Sequence, residues 1–326
     1  ELPLEEVGDL RQVSQVKILF FKEDKLMKTI NANLKNLLKI CVFPVVIICV
    51  FTFALIRSDI HNDQVYKANN LNENESVQYI SNTMGLHPVT VIAHRGVCVN
   101  EPENSMSSIK SSMEHKVDYA EIDVQETEDG VVVLMHDPNL KRLTGVNAPV
   151  NRLTYKQMEK LTLRAPLGSK YKEDKIPTLD EIIKASNHKL KLIIEIKPYG
   201  NTVDLTRKVV NLIEENNFTN QCMVHSLSYK ILLDVKRQNP NIRTGYIVSS
   251  SREKIPTKDV DFYSIEQKII TPNLVNNIHK TNRLVYAWTV NYPVNMQRVM
   301  KSNVDGIITD KAPILLDKKK EKIHKI

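Results

Sequence analysis

Two histidines and three carboxylates follow or end short apolar runs, where folding could bring them together. His94 and His136 each come directly after a run of branched apolar residues. Glu121 and Asp123 are two residues apart in a third run, and Glu195 lies near the end of a fourth. Histidine gives and takes a proton near neutral pH, and carboxylate oxygens bind hard cations such as Ca²⁺ or Mg²⁺. These residue types indicate acid–base catalysis assisted by a divalent metal ion.

The runs that carry these residues have the pattern of buried strands. Val89–Ala93 is apolar and β-branched, and Tyr119–Gln125 is a second short strand. The two carboxylates of that second strand share one face, because side chains alternate along a strand. Asp129-Gly130 is a strong signal for a two-residue hairpin, which predicts that Val131–Met135 returns as an antiparallel strand.

Strands alternate with helices through the rest of the chain. Capping boxes open two of these helices, at Thr154 with Gln157 and at Thr178 with Glu181. Six further strands are predicted at Leu190–Lys197, Cys222–His225, Thr244–Val248, Phe262–Glu266, Leu284–Val290 and Gly306–Thr309. Without the antiparallel return, eight strands remain, the number in a (β/α)₈ TIM barrel. We predict this α/β fold, with a small insertion at about 138–175 after the third strand. An open doubly wound sheet is the alternative, although no phosphate-binding glycine-rich loop supports it.

Eight short motifs occur in a fixed order: His94-Arg95-Gly96, Pro102-Glu103-Asn104, Glu121-Ile122-Asp123, His136-Asp137, Glu195-Ile196-Lys197-Pro198, His225-Ser226, the run 287–291 (AWTVN) and the run 305–310 (DGIITD). In this order they resemble the glycerophosphodiester phosphodiesterase family. The resemblance extends from about Val89 to Leu316. It implies a barrel enzyme that hydrolyses glycerophosphodiesters to sn-glycerol 3-phosphate and an alcohol.

The resemblance agrees with the chemistry of the individual residues. It implies that His94 and His136 are the acid–base pair, and that the metal ligands are Glu121, Asp123 and Glu195. The predicted substrate- and phosphate-binding residues are Arg95, Lys197, Trp288 and Glu103. Three roles stay open for Glu103: binding the metal, binding a glycerol hydroxyl or orienting a histidine. The family also implies attack by a substrate hydroxyl through a cyclic phosphate, a step that nothing in the sequence shows.

Other interpretations of these residues exist. Glu121 and Asp123 could pair with nearby lysines, and Trp288 could be a core residue. The neighbours His225 and Ser226 suggest a nucleophile pair, but adjacent residues on a strand face opposite sides and no Gly-x-Ser-x-Gly elbow is present. Glu266, at the end of its strand, is a weaker candidate for a site residue.

An uncharged apolar segment, Ile40–Ile56, precedes the barrel and is predicted to be a transmembrane helix. Several lysines lie before this segment and few follow it, so the positive-inside rule places residues 1–39 in the cytoplasm and the barrel outside the cell membrane. A buried core helix and a cleaved signal peptide are the alternatives. The predicted linker is 57–85, the barrel domain 86–317 and a solvated basic tail 318–326.

Composition limits the possible partners. The formal net charge is +7, but the basic residues cluster at the tail and before the apolar segment, without interleaved aromatic residues. This favours an anionic membrane surface over nucleic acid. Four cysteines lack metal-type spacing, and free buried thiols are expected in preference to a Cys98–Cys222 disulfide.

Two alternative functions are compatible with the sequence. A membrane-tethered site could act on lysophospholipids, as a lysophospholipase D does, or on glycerophosphate polymers of the envelope. A non-catalytic module that binds phosphate esters is the alternative from a different class. The chain begins with Glu1 and not Met. One hypothesis is therefore that it is the C-terminal part of a multi-span member of the family, with Ile40–Ile56 as the last span.

Overall fold

The computed structural model of the chain describes residues 89–164 and 174–324. The predicted span Ile40–Ile56, its flanking segments and residues 165–173 lie outside these ranges, and the expectations about them stay predictions. Within the described ranges, no helix combines the length and the apolar character needed to cross a bilayer.

A closed ring of parallel strands forms the centre of the described domain. The strands of the described domain are β1 (Thr90–His94), β2 (Tyr119–Glu126), β3 (Val132–Leu134), β4 (Lys191–Ile196), β5 (Cys222–Ser226), β6 (Arg243–Val248), β7 (Phe262–Glu266), β8 (Leu284–Trp288) and β9 (Gly306–Thr309), and all except β3 belong to the ring. β1 pairs in parallel with both β2 and β9, which closes the ring. β3 pairs antiparallel with β2, as the Asp129-Gly130 hairpin predicts. The other eight strands are mutually parallel, so the predicted (β/α)₈ barrel is confirmed.

The helices of the described domain are α1 (Met106–Glu114), α2 (Lys141–Thr144), α3 (Tyr155–Met158), α4 (Leu179–Ser186), α5 (Thr202–Glu215), α6 (Tyr229–Gln238), α7 (Pro272–His279), α8 (Pro293–Lys301) and α9 (Ala312–His324). Most of the helices follow strands of the ring, and two, α2 and α3, belong to the insertion after β3. The capping boxes predicted at Thr154 and Thr178 are both present. α9 continues through most of the segment predicted as a solvated tail, where Lys319 Nζ lies 3.4 Å from Asp118 Oδ2. Lysine and glutamate are good helix formers, which explains the extension.

One predicted strand–helix unit differs from the structure. The connection between β6 and β7, residues 249–261, contains no helix. Its sequence begins with three serines and includes Pro256, and its few apolar residues do not recur at helical spacing. A chain with this composition forms turns more readily than a helix.

The insertion after β3 is a small subdomain with its own core. α2, a 3-10 turn at Val150–Arg152 and α3 pack around eight buried residues: Val133, Met135, Leu140, Leu143, Val150, Met158, Leu163 and Ile176. Because Val133 and Met135 belong to the segment that leads into His136, this core fixes the insertion against the active face of the barrel.

The interior of the barrel is filled by large side chains from six strands: Ile92, Ile193, Met223, Phe262, Tyr286 and Ile308. Gly245 on β6 makes room for this layer, because a Cβ at this position would overlap the Phe262 ring. We expect Gly245→Ala to lower the free energy of unfolding by about 1–3 kcal/mol, because the ring must leave its packed position. Urea denaturation checks this. In a Phe262→Leu background the same substitution is expected to cost much less, and an equal cost in both backgrounds would contradict the clash.

Candidate active site

The predicted site residues lie at the carboxyl ends of strands, where the loops of a barrel form its active face. Seven of the nine line one cavity of about 200 Å³: His94, Arg95, Glu121, His136, Glu195, Lys197 and Trp288. Asp123 and Glu103 lie behind this layer, where both contact Arg95. A cavity of this volume can hold a small molecule or part of one. The structure thus brings all nine predicted residues to one place.

The turn after β1 places Arg95 in a left-handed backbone conformation. Arg95 has φ 57° and Gly96 has φ 80°. The Arg95 backbone N–H donates to Glu121 Oε2 at 3.1 Å, and Gly96 N–H donates to the Glu121 carbonyl at 3.2 Å. A side chain at Gly96 would overlap Ser108, so only glycine fits there. Strained residues of this kind persist where the surrounding structure holds them, often at functional sites.

Asn104, the last residue of the motif Pro102-Glu103-Asn104, contacts one of the buried carboxylates. Ser105 is the N-cap of α1. The Asn104 amide donates to Asp123 Oδ2 at 2.7 Å, and its carbonyl oxygen accepts from the Asp123 backbone N–H at 3.1 Å. Asn104 therefore orients Asp123 from both ends. Its place in the motif Pro102-Glu103-Asn104 was the sequence signal for this role.

His94 is held by an aspartate that sequence analysis left without a role. Its Nδ1 lies 2.6 Å from Asp310 Oδ1, at the end of β9. Asn291 donates to the other oxygen of Asp310 at 2.5 Å. Burial by itself would lower the pKa of His94, but the hydrogen bond to Asp310 and the charge of Glu121 outweigh it, so the pKa is raised. His94 is therefore biased towards its protonated, proton-donating form.

The pKa of His136 is shifted in the opposite direction from that of His94. Its Nδ1 lies 2.8 Å from Asp137 Oδ1, and burial lowers its pKa more than the charge of Asp123 raises it. Asp137 in turn receives a hydrogen bond from Arg142 Nε at 2.6 Å, which with the other contacts lowers its pKa to about 2. Asp137 stays ionised at neutral pH and fixes the histidine ring. His136 is therefore biased towards its neutral, proton-accepting form.

Arg142, on α2 of the insertion, was missed by sequence analysis. Besides Asp137 it binds both oxygens of Glu103, at 2.7 and 2.8 Å. Glu103 also accepts a hydrogen bond from Arg95 at 2.7 Å. These contacts hold the pKa of the Glu103 carboxyl below its usual value, although burial opposes this. In the structure Glu103 bridges two arginines, and the three roles left open for it stay predictions.

We expect Arg142→Lys to lower kcat/KM about ten- to a hundredfold, because a lysine cannot hold two carboxylates with a planar fork and His136 loses its fixed position. Steady-state kinetics check this. The neighbouring exposed Lys141 offers a matched control, and Lys141→Arg should retain full activity. Equal activity of both variants would contradict a positioning role for Arg142.

Lys197 and Asp123 form the buried charge pair of the site. Lys197 Nζ lies 3.1 Å from Asp123 Oδ1 and 2.8 Å from Glu195 Oε1. Arg95 Nε lies 3.4 Å from Asp123 Oδ2. Burial alone would raise the pKa of Asp123, but the two cations hold it well below its usual range. Asp123 is therefore an ionised carboxylate already neutralised by protein groups.

A second group of ligand atoms could hold a metal ion. Single ligand atoms of Glu121, Glu195 and His225 lie within 4.8 Å of one another, and all three residues are buried. Burial and the nearby charge of Asp123 raise the pKa of Glu195, as expected where negative charges are crowded. His225 Nε2 is buried without a hydrogen-bond partner. The donor set and this nitrogen without a partner fit a divalent cation. Asp123, the third predicted ligand, is not in the group, and its assignment stays a prediction.

An apolar wall faces the charged residues. The cavity lining also includes Leu227, Ile247 and Ile308 beside Trp288. Trp288 is half-buried, packs on the interior layer of the barrel, and donates through Nε1 to the Ser264 carbonyl at 2.9 Å. It therefore lines the cavity and contributes to the core, so the two interpretations of Trp288 are compatible.

The alternative nucleophiles are not placed for reaction. Ser226 is fully buried and donates to the Ile196 carbonyl at 2.8 Å, away from the cavity lining. Cys98 and Cys222 are free thiols, and burial raises the pKa of each to about 12. Neither the serine nor the thiols can supply an activated nucleophile. The prediction of free cysteines is confirmed.

The arrangement unites two histidines of opposite bias, fixed cations and a candidate metal cluster at one barrel mouth. It can neutralise an anion, accept a proton on one side and donate one on the other. These are the requirements for displacement at a phosphate ester. Sequence patterns predicted the histidines and carboxylates of this arrangement, whereas the residues that hold them, Asp310, Arg142 and Asn104, became visible only in the fold.

Comparison with known proteins agrees with this geometry. Residues 94–313 match the model of the glycerophosphoryl diester phosphodiesterase family. A glycerophosphodiester phosphodiesterase of Caldanaerobacter subterraneus is 33% identical over 234 residues, which cover 70% of this chain and 96% of that protein.

Solved structures share the fold. A phosphodiesterase of Oleispira antarctica, solved in complex with the product sn-glycerol 3-phosphate, superposes with a TM-score of 0.65 at 24% identity, covering 72% of this chain and 97% of that one. A glycerophosphodiester phosphodiesterase of Parabacteroides distasonis has a TM-score of 0.62 at 21% identity, covering 73% and 98%. With the family model matched over most of the barrel, the chain belongs to the glycerophosphoryl diester phosphodiesterase family.

Proposed function

We propose that this protein hydrolyses glycerophosphodiesters to sn-glycerol 3-phosphate and an alcohol. The observation that carries the proposal is the pair His94 and His136, whose pKa values are shifted in opposite directions at the mouth of one small cavity. Groups with separated pKa values are the usual acid and base of an enzyme. The name of the Caldanaerobacter relative and the product held by the Oleispira neighbour support the same reaction.

The directions of the proton transfers follow from the opposite pKa shifts of the two histidines. In the single displacement that gives these products, neutral His136 accepts a proton of the attacking water molecule as the water oxygen bonds to phosphorus. Protonated His94 donates a proton to the departing alcohol oxygen as its bond to phosphorus breaks. Asp310 and Asp137 hold the two rings through Nδ1, so that each ring presents Nε2 for these transfers. One proton passes from water to His136 and one from His94 to the alcohol. Loss of a proton from His136 to solvent and uptake of one by His94 then restore both rings for the next turnover.

The remaining groups bind and orient the phosphate. Arg95 lies beside the histidines and binds oxyanions through its planar fork, while Lys197 supplies a point charge. Glu121 and Glu195, together with Asp123 or His225, would hold a divalent cation. When bound, such an ion neutralises the phosphoryl oxygens and polarises phosphorus. If the ligands are carboxylates alone, Ca²⁺ or Mg²⁺ is the fitting ion.

The test is release of glycerol 3-phosphate from glycerophosphocholine by the purified full chain, with His136→Ala as the matched inactive control. We expect release that depends on the intact histidine and on added divalent cation. No release from folded wild-type protein with any divalent cation, and with no lysophospholipid turnover, would overturn the proposal in favour of a phosphate-ester-binding module.

A second substrate class is favoured by the apolar side of the site. Leu227 lines the cavity and is 41% exposed, and other exposed apolar side chains follow the carboxyl ends of strands: Val99, Tyr199, Tyr292 and Val294. Exposed apolar side chains near the carboxyl ends of the strands would suit the acyl chain of a lysophospholipid. Comparison of kcat/KM for lysophosphatidylcholine and glycerophosphocholine tests this. A preference for the lipid that falls in Leu227→Ser would support it, and a preference for the water-soluble ester would not.

We further propose that Ile40–Ile56 anchors the chain in the cell membrane with the barrel outside. The length of the uncharged segment and the excess of lysines before it support this topology. A reporter protein that is active only outside the cytoplasm, fused after His324, should be active in cells. If only a reporter that requires the cytoplasm is active at that position, the barrel lies in the cytoplasm and the proposed orientation is wrong.

A further inference from the structure

The exposed large apolar side chains of the described domain lie almost entirely at one end of the barrel. Leu233, on α6, is the exception. Val146 lies in the insertion, which contacts the active site through Arg142. The others lie in connections that follow strands of the ring, or in the first turn of the next helix: Val99, Tyr199, Val203, Leu227, Tyr292, Val294 and Ile314. They therefore belong to the carboxyl end of the barrel, where the cavity opens.

The amino end of the barrel has a different surface. In the described connections that lead from helices into strands of the ring, no large apolar side chain is exposed. Several of these turns are instead made by asparagines in the left-handed conformation: Asn217, Asn282 and Asn303. Single exposed apolar residues are common, but scattered ones would be expected at both ends. Their restriction to one end indicates that this end meets an apolar partner.

The most exposed pair lies beside the active site. The side chains of Tyr292 and Val294 are 69% and 70% exposed. Pro293 between them occupies the first position of α8, where its fixed φ angle suits the start of a helix. The preceding residue, Asn291, donates to Asp310 Oδ2 at 2.5 Å, and Asp310 holds His94. The two apolar side chains are thus held on a helix start next to the mouth of the cavity.

Positive charge accompanies these apolar side chains. In its described residues the insertion exposes more cations than carboxylates: Lys141, Arg142, Arg152, Lys156, Lys160, Arg164 and Lys175. Among the described ion pairs, only Arg142 of this set takes part. Apolar side chains next to a surplus of cations are typical of surfaces that bind anionic lipid, since charge attracts the protein and apolar groups then enter the interface.

A second copy of the chain fits this surface less well. A symmetric dimer pairs one surface patch with the same patch of its partner. Two copies of the basic insertion would then face each other across the contact, and their like charges would repel. An anionic bilayer instead offers charge of the opposite sign together with an apolar interior.

The chain between the predicted span and the barrel is long enough to permit such contact. About thirty residues separate Ile56 from Val89, and an extended chain of that length would span on the order of 100 Å. The depth of the barrel is comparable to the length of its helices, and α5, with 14 residues, is about 21 Å long. Anchoring at Ile40–Ile56 would therefore not prevent the carboxyl end from reaching the bilayer.

We propose that the carboxyl end of the barrel docks on an anionic lipid bilayer, with Tyr292 and Val294 entering the interface and the cations of the insertion contacting lipid head groups. Tyrosine suits this position because its ring is apolar and its hydroxyl is polar. Docking in this orientation turns the cavity towards the membrane. The proposal goes beyond the proposed function, because it requires no hydrolysis.

The experiment measures binding of the barrel domain, residues 85–326, to lipid vesicles by flotation. This domain lacks Ile40–Ile56, so the predicted span cannot contribute. It can be tested alone, because the Caldanaerobacter relative is matched over 96% of its length and is therefore little more than a barrel. We expect binding to vesicles of phosphatidylcholine with phosphatidylglycerol, and much weaker binding to phosphatidylcholine alone. Added salt should weaken the binding, because it screens the charges.

Matched variants locate the apolar contact. Tyr292→Ser combined with Val294→Ser should weaken vesicle binding about tenfold or more, because two apolar side chains no longer leave water. Leu233→Ser removes an exposed apolar side chain from the flank of the barrel and should leave binding unchanged. Equal losses in the two proteins, with folding checked by circular dichroism, would contradict docking through the carboxyl end.

A second pair of variants locates the charge contact. Lys156→Glu combined with Lys160→Glu should weaken binding to the anionic vesicles at least about tenfold, since each lysine near an anionic surface contributes to attraction. Lys280→Glu combined with Lys301→Glu makes the same change of charge at the amino end and should have an effect of about twofold or less. An equal effect of both pairs would mean that net charge alone drives the binding, and the proposed orientation would be wrong.

The outcomes are distinct from those of the activity test. Absence of binding of the folded wild-type domain to anionic vesicles overturns the proposal, even if a variant fails to fold. A lipid-free dimer that Tyr292→Ser with Val294→Ser dissociates would assign the surface to a second copy and also overturn it. Vesicle binding without hydrolysis of any ester would retain the docking surface and reject the proposed function. Hydrolysis without vesicle binding would do the reverse.

Discussion

His136→Ala is expected to lower kcat/KM by about 10²- to 10⁴-fold while the barrel stays folded, and His94→Ala is expected to do the same. Each substitution removes one of the two proton transfers and leaves the phosphate-binding groups in place. Both histidines are only partly buried and line the cavity, so little stability should be lost. Kinetics and circular dichroism on the same preparations check the two parts of this prediction. Substantial activity in both folded variants would refute the acid–base assignment.

The pH dependence of the activity distinguishes the proton acceptor from the proton donor. Activity should fall on the acid side as His136, whose pKa is lowered, becomes protonated and can no longer accept a proton. It should fall on the alkaline side as His94, whose pKa is raised, loses the proton that it donates. Asp310→Asn removes the charge that supports the protonated ring. We therefore expect its alkaline limb to move to lower pH with the acid limb unchanged. A shift of the acid limb instead would mean that His94 is the proton acceptor and His136 the proton donor.

Removal of divalent cations is expected to abolish turnover, and re-addition should restore it. Crowded carboxylates raise the pKa of Glu195, and a bound cation offsets their mutual repulsion while it supplies charge for the phosphoryl oxygens. Glu121→Gln should have the same effect, with a loss of at least about 10²-fold, since it removes a charged ligand. Lys184→Gln, on the exposed surface of α4, should leave activity and metal dependence unchanged.

The measurement is the initial rate after dialysis against chelator, followed by titration with Mn²⁺, Ca²⁺ and Mg²⁺. Full rate in excess chelator would rule out the metal requirement, and neutralisation of the phosphate would then fall to Arg95 and Lys197. Binding of metal and substrate without turnover would favour the non-catalytic module.

The sequence determined the strands and helices because their patterns are local. Alternation over two residues marks a strand, and capping residues three positions apart mark a helix start. The hairpin at Asp129-Gly130 and both predicted capping boxes are confirmed for the same reason. The connection between β6 and β7 was predicted with a helix that its serines and Pro256 do not form.

The sequence by itself also determined which groups could react, since histidines and carboxylates at strand ends must meet at the carboxyl face of a parallel barrel. Only the tertiary structure decided what each of them contacts. Closure of β1 against β9 brings Asp310 to His94, 216 positions away in the chain. Packing of β5 beside β4 brings His225 towards Glu121, while Asp123 is taken up by Lys197. Such contacts depend on strand register and ring closure, which no local spacing encodes.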